Sequence, residues 1–423
     1  MLNTRSFLRT SGLLIGLTVC YKLLGFVEKL VLAAVFGTSA QADAYLAGSS
    51  VVLLVGFLIQ DIAAPALVPV LMADRAAGRR TIRATLSLVA LIALGLTALS
   101  WLGAPLLALL FGPGFDAPTL ALTAEIIRIG ILALPALCLA AVLAAWSHAE
   151  GRFVRPALAD TILKICPVIG IVLTRSLAGL TVGLAAGAWL RLLLIASSPG
   201  APVKPEWAPR EQGLGRVLHL AWPLLLTALV STHLLSVIET ALASTLGVGA
   251  VAAYAYARRI LDVPVILVPQ VVARLIFPGL AALFQAGDLA RLRDHLRQMV
   301  RLTLLALVPL SALGFVLADP IIRLLLERGA FDRDSAERTA LVFRAVLPGL
   351  PAHALATLLV RWNYAAGDTR WPSVIRGASA ALHIGLAAYA RRWGLAGLGA
   401  ATTLVQWLET LALLAAAAWV LVP

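Results

Sequence analysis

Two lysines lie inside the first long apolar stretch of the chain, residues 11–36. Lys22 and Lys29 are seven residues apart, so in a helix they fall on nearly the same face, about 10 Å apart along the axis. A charged side chain at the centre of a membrane helix costs about 2.5–3.5 kcal/mol on insertion scales. This helix face is therefore predicted to meet water, an anion or acidic side chains.

A second concentration of charge lies further along the chain, at Arg258, Arg259, Asp262 and Arg274. Arg258 and Asp262 have the i,i+4 spacing of a helical ion pair, which would leave Arg259 and Arg274 unpaired. Together with the two lysines, these arginines are candidates for binding an anion. The alternative is that the charged groups form intramembrane salt bridges that only fix helix packing.

Acidic residues also lie within the apolar stretches. The segment LLGFVE, which ends at Glu28, is echoed by LLSVIE, which ends at Glu239, so each half of the chain presents a carboxylate from its first helix. Asp160 and Lys164 have the spacing of a further i,i+4 pair, for which a packing role is the open alternative. We interpret the isolated histidines as packing or interfacial residues; they are His148, His219, His353 and His383.

The charged residues lie in a chain whose two halves are related by a sequence duplication. Segments 115–156 and 331–372 match at a constant spacing of 216 residues without a gap, and fifteen of the 42 aligned positions are identical. Because the spacing is about half the chain, each half is predicted to be one structural unit. Asp116 and Asp332 begin the two copies and are predicted to cap the helices that follow.

The composition indicates which kind of unit repeats. Hydrophobic residues make up 61% of the chain and charged residues 13%, and the mean hydropathy is +0.94, values typical of a polytopic membrane protein. Apolar runs of membrane-spanning length predict twelve helices. They cover roughly 11–36, 45–74, 84–111, 122–148, 155–174, 177–197, 215–245, 250–285, 297–326, 337–365, 372–391 and 394–421.

The predicted fold is therefore an all-α polytopic membrane protein with about twelve transmembrane helices in two pseudo-symmetric six-helix lobes. The N-lobe covers 1–197 and the C-lobe 215–423, and the polar, proline-rich segment 198–214 is the predicted cytoplasmic linker. An even number of spans in each half makes the two repeats parallel in topology.

Arginines are concentrated in alternate predicted loops, for example at 75–83 and 291–301. The positive-inside rule then places both termini in the cytoplasm. The formal net charge of +13 could indicate nucleic-acid binding. Most of the cations, however, lie in predicted cytoplasmic loops, where anionic lipid headgroups attract them. We therefore expect membrane lipids as partners and no nucleic acid.

Two lobes around a cation-lined central cavity predict a secondary transporter for a bulky anion. The sequence contains no Walker A motif, glycine-rich phosphate loop, HExxH motif or nucleophile elbow. We therefore expect no enzymatic activity and no cofactor or metal.

Several motifs, spread over nearly the whole chain, carry a family resemblance. They are YKLLGF at 21–26, FGTSAQADAY at 36–45, LVPVL at 67–71, YARRILDVP at 256–264, PIIRLLLERGAF at 320–331 and YAAGDTRWP at 364–372. These segments resemble the MurJ/MviN family of lipid II flippases, within the multidrug/oligosaccharidyl-lipid/polysaccharide exporter superfamily. Members of the family usually have fourteen spans, the last two forming a groove for the lipid tail, whereas twelve are predicted here.

The charged positions depart from the family pattern in three helices. In helix 1 the family's first arginine is matched by Lys22, and its Arg-Asp pair is reversed in sign as Glu28-Lys29. In helix 2 the family's two arginines fall on Gly56 and Phe57, although the following acid persists as Asp61. In helix 8 the family's Asp-Arg becomes Arg258-Arg259, with the following acid kept as Asp262.

The resemblance implies a flippase of the bacterial cytoplasmic membrane. It would move an undecaprenyl-diphosphate-linked saccharide, either lipid II or a related lipid-linked oligosaccharide, by alternating access, for peptidoglycan or polysaccharide biosynthesis. The substrate-binding cations would be Lys22, Lys29, Arg258, Arg259 and Arg274. Membrane potential, Na⁺ or H⁺ would drive transport, and envelope glycan synthases are candidate partners. The candidate coupling groups or charge partners are Glu28, Asp43, Asp61, Glu239 and Asp262.

Two other readings remain open at this point. A cation-coupled multidrug exporter of the same superfamily would be expected to have an acidic and aromatic cavity rather than a basic one. A non-transporting scaffold of an envelope-assembly complex would leave the buried cations unexplained.

The arginine distribution makes the orientation testable. Single cysteines introduced at 112–118 or 329–336 should react with a membrane-impermeant thiol reagent in intact cells, because these loops are predicted to lie outside. Cysteines at 76–82 or 286–296 should react only after the membrane is opened. Labelling of the second group in intact cells would overturn the predicted orientation.

Overall fold

A computed structural model of the 423-residue chain describes residues 4–73, 75–204, 206–208, 211–228, 234–277 and 280–419. Within these ranges the regular secondary structure is helical and includes no β-strand. Contacts divide the chain into two compact units, Met1–Val237 and Ile238–Pro423. We call them the first and second units. The predicted linker 198–214 lies within the first unit.

The first unit is built from nine helices and the start of a tenth, in the described part of the chain. They are α1 (Thr4–Phe36), α2 (Ala40–Ala73), α3 (Arg75–Leu102), α4 (Ala104–Phe111), α5 (Ala117–Gly130), α6 (Leu134–Ala149), α7 (Val154–Thr174), α8 (Leu177–Ala196), α9 (Gln212–Ala228) and α10 (Leu234–Ser244). Helix α2 packs against α5, α6 and α9, and α7 packs against α1 and α8.

The second unit begins within α10. Its other described helices are α11 (Ala250–Ile276), α12 (Leu280–Ala286), α13 (Leu289–Val316), α14 (Ala318–Leu326), α15 (Arg333–Val346), α16 (Leu350–Ala365), α17 (Arg370–Ala390) and α18 (Gly394–Trp419). Helix α18 packs against α15, α16 and α17, and α11 packs against α13, α15 and α16.

The sequence duplication is also a duplication of helix boundaries. Helices α5, α6 and α7 recur as α15, α16 and α17, with both ends of each helix displaced by 216 residues. Helix α3 recurs as α13 with both ends displaced by 214 residues. Trp146 and Trp362, which are equivalent in the repeat, both lie in the hydrophobic core of their own unit. The repeat therefore preserves the packing core of each unit as well as the helix lengths.

The span predicted at 122–148 is not one continuous helix. Residues Ile131–Ala133 form a turn of 3-10 helix between α5 and α6, and Leu347–Gly349 form the equivalent turn between α15 and α16. Pro135 and Pro351 lie at the start of the helices that follow. A proline has no backbone N–H and clashes with the carbonyl four residues earlier, so an α-helix cannot run through it unchanged.

The two predicted caps are confirmed. The backbone N–H of Thr119 donates to Asp116 Oδ1 at 3.1 Å, and that of Ser335 donates to Asp332 Oδ1 at 2.9 Å. The bond from the Ser335 backbone holds the pKa of the Asp332 carboxyl below its usual value. Each aspartate satisfies one of the N–H groups left without a partner at a helix start.

Eight helical stretches in the described part of the chain are long and apolar enough to cross a membrane, and one of them, Arg370–Trp419, contains both α17 and α18. Large apolar side chains such as Leu102 and Leu173 are more than 70% exposed. Such a surface would be unfavourable in water but suits the hydrocarbon of a bilayer. The predicted all-α polytopic membrane fold is confirmed.

Glycines allow α7 and α8 to approach closely. A Cβ atom placed on Gly183 would lie 2.6 Å from the carbonyl oxygen of Cys166 and 2.9 Å from Cα of Pro167. A Cβ atom on Gly170 would lie 2.1 Å from the carbonyl oxygen of Gly179. The obstacles are backbone atoms, so a larger residue would force the two helices apart. Small residues at such crossings are typical of helix packing in membranes.

We therefore expect Gly183→Ala to lower the melting temperature of the purified protein in detergent, since overpacking typically costs about 1–3 kcal/mol. Gly95→Ala in α3 is the matched control, because a Cβ atom on Gly95 would meet no atom within 4 Å. An equal response of the two variants would show that the α7–α8 contact does not limit stability.

Candidate functional site

In the first unit, charged groups converge on the Glu28 carboxylate of α1. Lys29 Nζ lies 3.0 Å from Glu28 Oε1, and Lys164 Nζ of α7 lies 3.4 Å from Glu28 Oε2. Lys29 also stands 5.4 Å from the ring centroid of the buried Tyr45 on α2. We call these four residues the Glu28 cluster. Both carboxylate oxygens are engaged, so the negative charge is neutralised within the unit.

The predicted Asp160–Lys164 pair is wrong, because both residues pair with other helices. Lys164 bonds to Glu28, as above. Asp160 Oδ1 accepts from Arg191 Nε of α8 at 2.8 Å, and Arg191 Nη2 donates to Gln60 Oε1 of α2 at 3.1 Å. Arg191 is only 2% exposed. A buried charge bonded to two other helices fixes α2, α7 and α8 together, and removing one partner would leave it uncompensated.

In the second unit, a larger cluster surrounds Glu239 of α10. Glu239 Oε1 accepts from the Tyr254 hydroxyl at 3.0 Å and lies 3.3 Å from His383 Nε2, while Glu239 Oε2 bonds to Arg258 Nη1. The Thr402 hydroxyl lies 3.1 Å from the Tyr254 hydroxyl and 3.4 Å from His383 Nε2. We call these five residues the Glu239 cluster. It joins α10, α11, α17 and α18.

The arginines of α11 are paired differently from the prediction. Arg258 bonds to Glu239 instead of to Asp262, and Arg259 Nη1 donates to Asp262 Oδ2 at 3.0 Å. The predicted Arg258–Asp262 pair is therefore wrong, and Arg259 is not the unpaired cation that it was expected to be. Its partner is still well exposed, since the Asp262 side chain is 49% accessible.

Lys22 and Arg274 remain the cations without an internal acid. In the described part of the chain no carboxylate lies within 4.0 Å of either one, and both are exposed. Lys22 lies near the middle of α1, 5.8 Å from the Tyr21 ring centroid. Arg274 lies in the last turn of α11, where the helix dipole favours a cation.

The two remaining acidic candidates lie in α2. Asp43, in the first turn of the helix, is 1% exposed, whereas Asp61 is exposed in its middle. The two carboxylates thus sit in opposite environments, and only Asp61 presents its side chain outward.

A small cavity borders the Glu239 cluster. Its volume is about 50 Å³, which suits one or two water molecules but no saccharide. The polar residues of its wall are Arg258, Asp262, His353 and Gln406. Arg258 thus bonds to Glu239 and also borders a polar space.

Sequence reasoning missed Arg191, Tyr254, His383 and Thr402. Arg191 could have been found, since it is an ionisable residue inside the predicted span 177–197. The interpretation of His383 as an isolated packing residue is wrong, because it contacts Glu239, which lies 144 positions earlier in the chain. Nothing in the local sequence around His383 indicates that partner.

The family model described as lipid II flippase MurJ matches residues 32–418. A protein of Haemophilus influenzae named "Probable lipid II flippase MurJ" is 27% identical over 390 residues, which cover 84% of this chain and 75% of that protein. A protein of Rhizobium meliloti with the same name is 31% identical over 217 residues, which cover 51% of this chain and 40% of that protein.

Solved structures show the same fold. The structure titled "Lipid II flippase MurJ, inward closed conformation" superposes with a TM-score of 0.85 at 23% identity, covering 96% of this chain and 87% of that one. An inward-facing multidrug-resistance MATE family transporter of the MOP superfamily gives a TM-score of 0.78 at 14% identity, with coverages of 95% and 93%. Because the family model matches nearly the whole chain, this protein belongs to the MurJ family of lipid II flippases.

Proposed function

We propose that this protein is a flippase that moves an undecaprenyl-diphosphate-linked saccharide, lipid II or a related lipid-linked oligosaccharide, from the cytoplasmic to the outer leaflet. Family membership supports the transporter class. The observation that carries the substrate class is the charge balance of the membrane helices. Glu28 and Glu239 are bonded to cations of their own unit, whereas Lys22 and Arg274 have no carboxylate within 4.0 Å in the described part of the chain.

The surplus of positive charge can be assigned to individual residues. Glu28 is bonded by two lysines, and Glu239 is bonded by Arg258 with Tyr254 and His383 beside it. Lys22, by contrast, is exposed in the middle of α1, which contains the predicted span 11–36. A cation at that depth needs water or an anion. A diphosphate provides several oxygens that accept charge-assisted hydrogen bonds, which are stronger than neutral ones.

The same balance argues against the multidrug exporter. An organic cation would need a carboxylate available to bind it, and the buried carboxylates Glu28 and Glu239 already have cationic partners in the protein. A scaffold without transport activity would give no reason for an exposed lysine within α1. The lipid-linked anion is therefore the substrate class that uses the observed charges.

The other features of the proposal rest on the sequence. Both termini would lie in the cytoplasm, and the protein would act by alternating access in the bacterial cytoplasmic membrane. Membrane potential, Na⁺ or H⁺ would drive transport. The exposed Asp61 is one candidate coupling group. Envelope glycan synthases are proposed as partners that use the translocated substrate.

A reconstituted leaflet-exchange assay with an undecaprenyl-diphosphate-linked saccharide tests the proposal. Lys22→Ala should slow exchange roughly tenfold or more, because a hydrogen bond to a charged group contributes about 1.5–3 kcal/mol. Lys22→Arg should retain part of the activity, since the charge is kept while the geometry changes. Arg259→Ala should also slow exchange.

Lys204→Ala is the matched control, because Lys204 is an exposed lysine outside the helices. It should leave exchange unchanged. If the unmodified protein exchanges an organic dye cation but no lipid-linked diphosphate, the multidrug reading is correct. If Lys22→Ala and Arg259→Ala both transport at the unmodified rate, the anion-binding role of these cations is wrong.

A further inference from the structure

Each half of the chain pairs a buried glutamate with a basic residue, but the type of basic residue differs between the halves. Glu28 and Glu239 end equivalent sequence segments. Each is contacted by a basic residue from one of the two repeat-related helices α7 and α17. In the first half that residue is Lys164 of α7. In the second half it is His383 of α17. Lysine keeps its charge at any physiological pH, whereas histidine gains or loses its charge within that range.

The position of His383 permits it to bind a proton without leaving the cluster. It is 4% exposed, and Nε2 faces both the Glu239 carboxylate at 3.3 Å and the Thr402 hydroxyl at 3.4 Å. A carboxylate at this distance requires a hydrogen on Nε2, which either the neutral Nε2–H form or the imidazolium supplies. The hydroxyl of Thr402 can turn to serve either form.

Charged and titratable groups reach this site from every packed helix. Glu239 approaches from α10, and Tyr254 and Arg258 approach from α11. On α17 itself, Arg376 lies two turns before His383 and pairs with Glu409 of α18 at 3.5 Å. On α16, His353 borders the same cavity as Arg258.

The sum of charges at the centre of the cluster decides its behaviour. With neutral His383, the single negative charge of Glu239 balances the single positive charge of Arg258. With protonated His383, two cations share one carboxylate and the cluster carries a net positive charge. Like charges at this separation repel strongly in a medium of intermediate dielectric. An anion bound to Arg258 would relieve that excess.

We propose that His383 is a proton-binding site whose protonation strengthens the binding of an anionic diphosphate at Arg258. The Arg258 side chain is 38% exposed, so an anion outside the cluster can reach it. Linkage is reciprocal: a proton on His383 favours the anion, and the anion favours the proton. The anion class rests on the proposed function, whereas the proton site rests on the Glu239 cluster.

The test measures the affinity of the purified full-length protein for farnesyl diphosphate at pH 5.5 and pH 8. Unmodified protein is compared with His383→Gln, which stays neutral, and with His383→Lys, which stays charged. Variants are compared at the same pH, so that titration of the ligand itself cancels. His295→Gln is the control, because His295 is a partly exposed histidine on α13, outside the Glu239 cluster.

At pH 5.5 the unmodified protein should bind about tenfold more tightly than His383→Gln, an effect of the size expected from one added charge a few ångströms away. At pH 8 the two should bind alike, and His383→Lys should bind more tightly than both. His295→Gln should match the unmodified protein at each pH. His353→Gln should behave like the unmodified protein: it should bind farnesyl diphosphate more tightly than His383→Gln at pH 5.5 and equally tightly at pH 8.

Two results would overturn the inference in distinguishable ways. The first result is that the unmodified protein binds farnesyl diphosphate, but the ratio of its affinity to that of His383→Gln is the same at both pH values. His383 is then not the proton site, and the proposed function stands. If the unmodified protein does not bind the diphosphate at either pH, the proposed substrate class fails and this inference fails with it.

Discussion

A charged side chain in the membrane must find an opposite charge or water, and this requirement organises the structure. Each half carries one glutamate in its first helix, at Glu28 and Glu239. The first is held by lysines from α1 and α7, and the second by Arg258 together with donors from α11 and α17. These contacts connect helices that are far apart in the sequence. Neutralisation of these charges therefore depends on the packing of helices within each unit.

The duplication supplied two copies of this arrangement, and the copies have diverged. The packing cores kept their tryptophans, and the helix boundaries kept their spacing. The partners of the glutamates changed, with Lys164 in one half and His383 in the other. A fixed charge suits a structural pair, whereas a titratable group can respond to protons. The proposed proton site therefore lies in the half whose glutamate has a titratable partner.

Much of the fold could be predicted because its causes are local. Apolar length and proline positions specify the spans, and Asp116 and Asp332 mark helix starts through their short side chains. The ion pairs could not be predicted in the same way. Spacing within one helix suggested Asp160 with Lys164 and Arg258 with Asp262, yet the bonded partners lie on other helices. A partner across the unit depends on helix packing, which local spacing does not encode.

The candidate site also combines features that the local sequence predicts with contacts that depend on helix packing. Lys22, Glu28, Glu239 and Arg258 could be recognised in the sequence because charged residues are rare in apolar segments. The sequence alone does not indicate which of these cations is paired with an acid of the protein. The structure separates them, since Arg258 is bonded to Glu239 and Lys22 is exposed without an acid nearby in the described residues. That separation is what favours an anionic substrate over a cationic drug.

The central claim is that the first-helix glutamates are neutralised within their own unit, and a double-mutant cycle on Glu28 and Lys164 tests it most directly. Thermal unfolding in detergent would be measured for Glu28→Gln, Lys164→Met and the double variant. Each single change should be strongly destabilising, because it leaves a buried charge with too few partners. The double variant should lose less than the sum of the two, with a coupling energy of about 0.5–3 kcal/mol. Additive losses would contradict the claim, since they would mean that the two side chains do not stabilise each other.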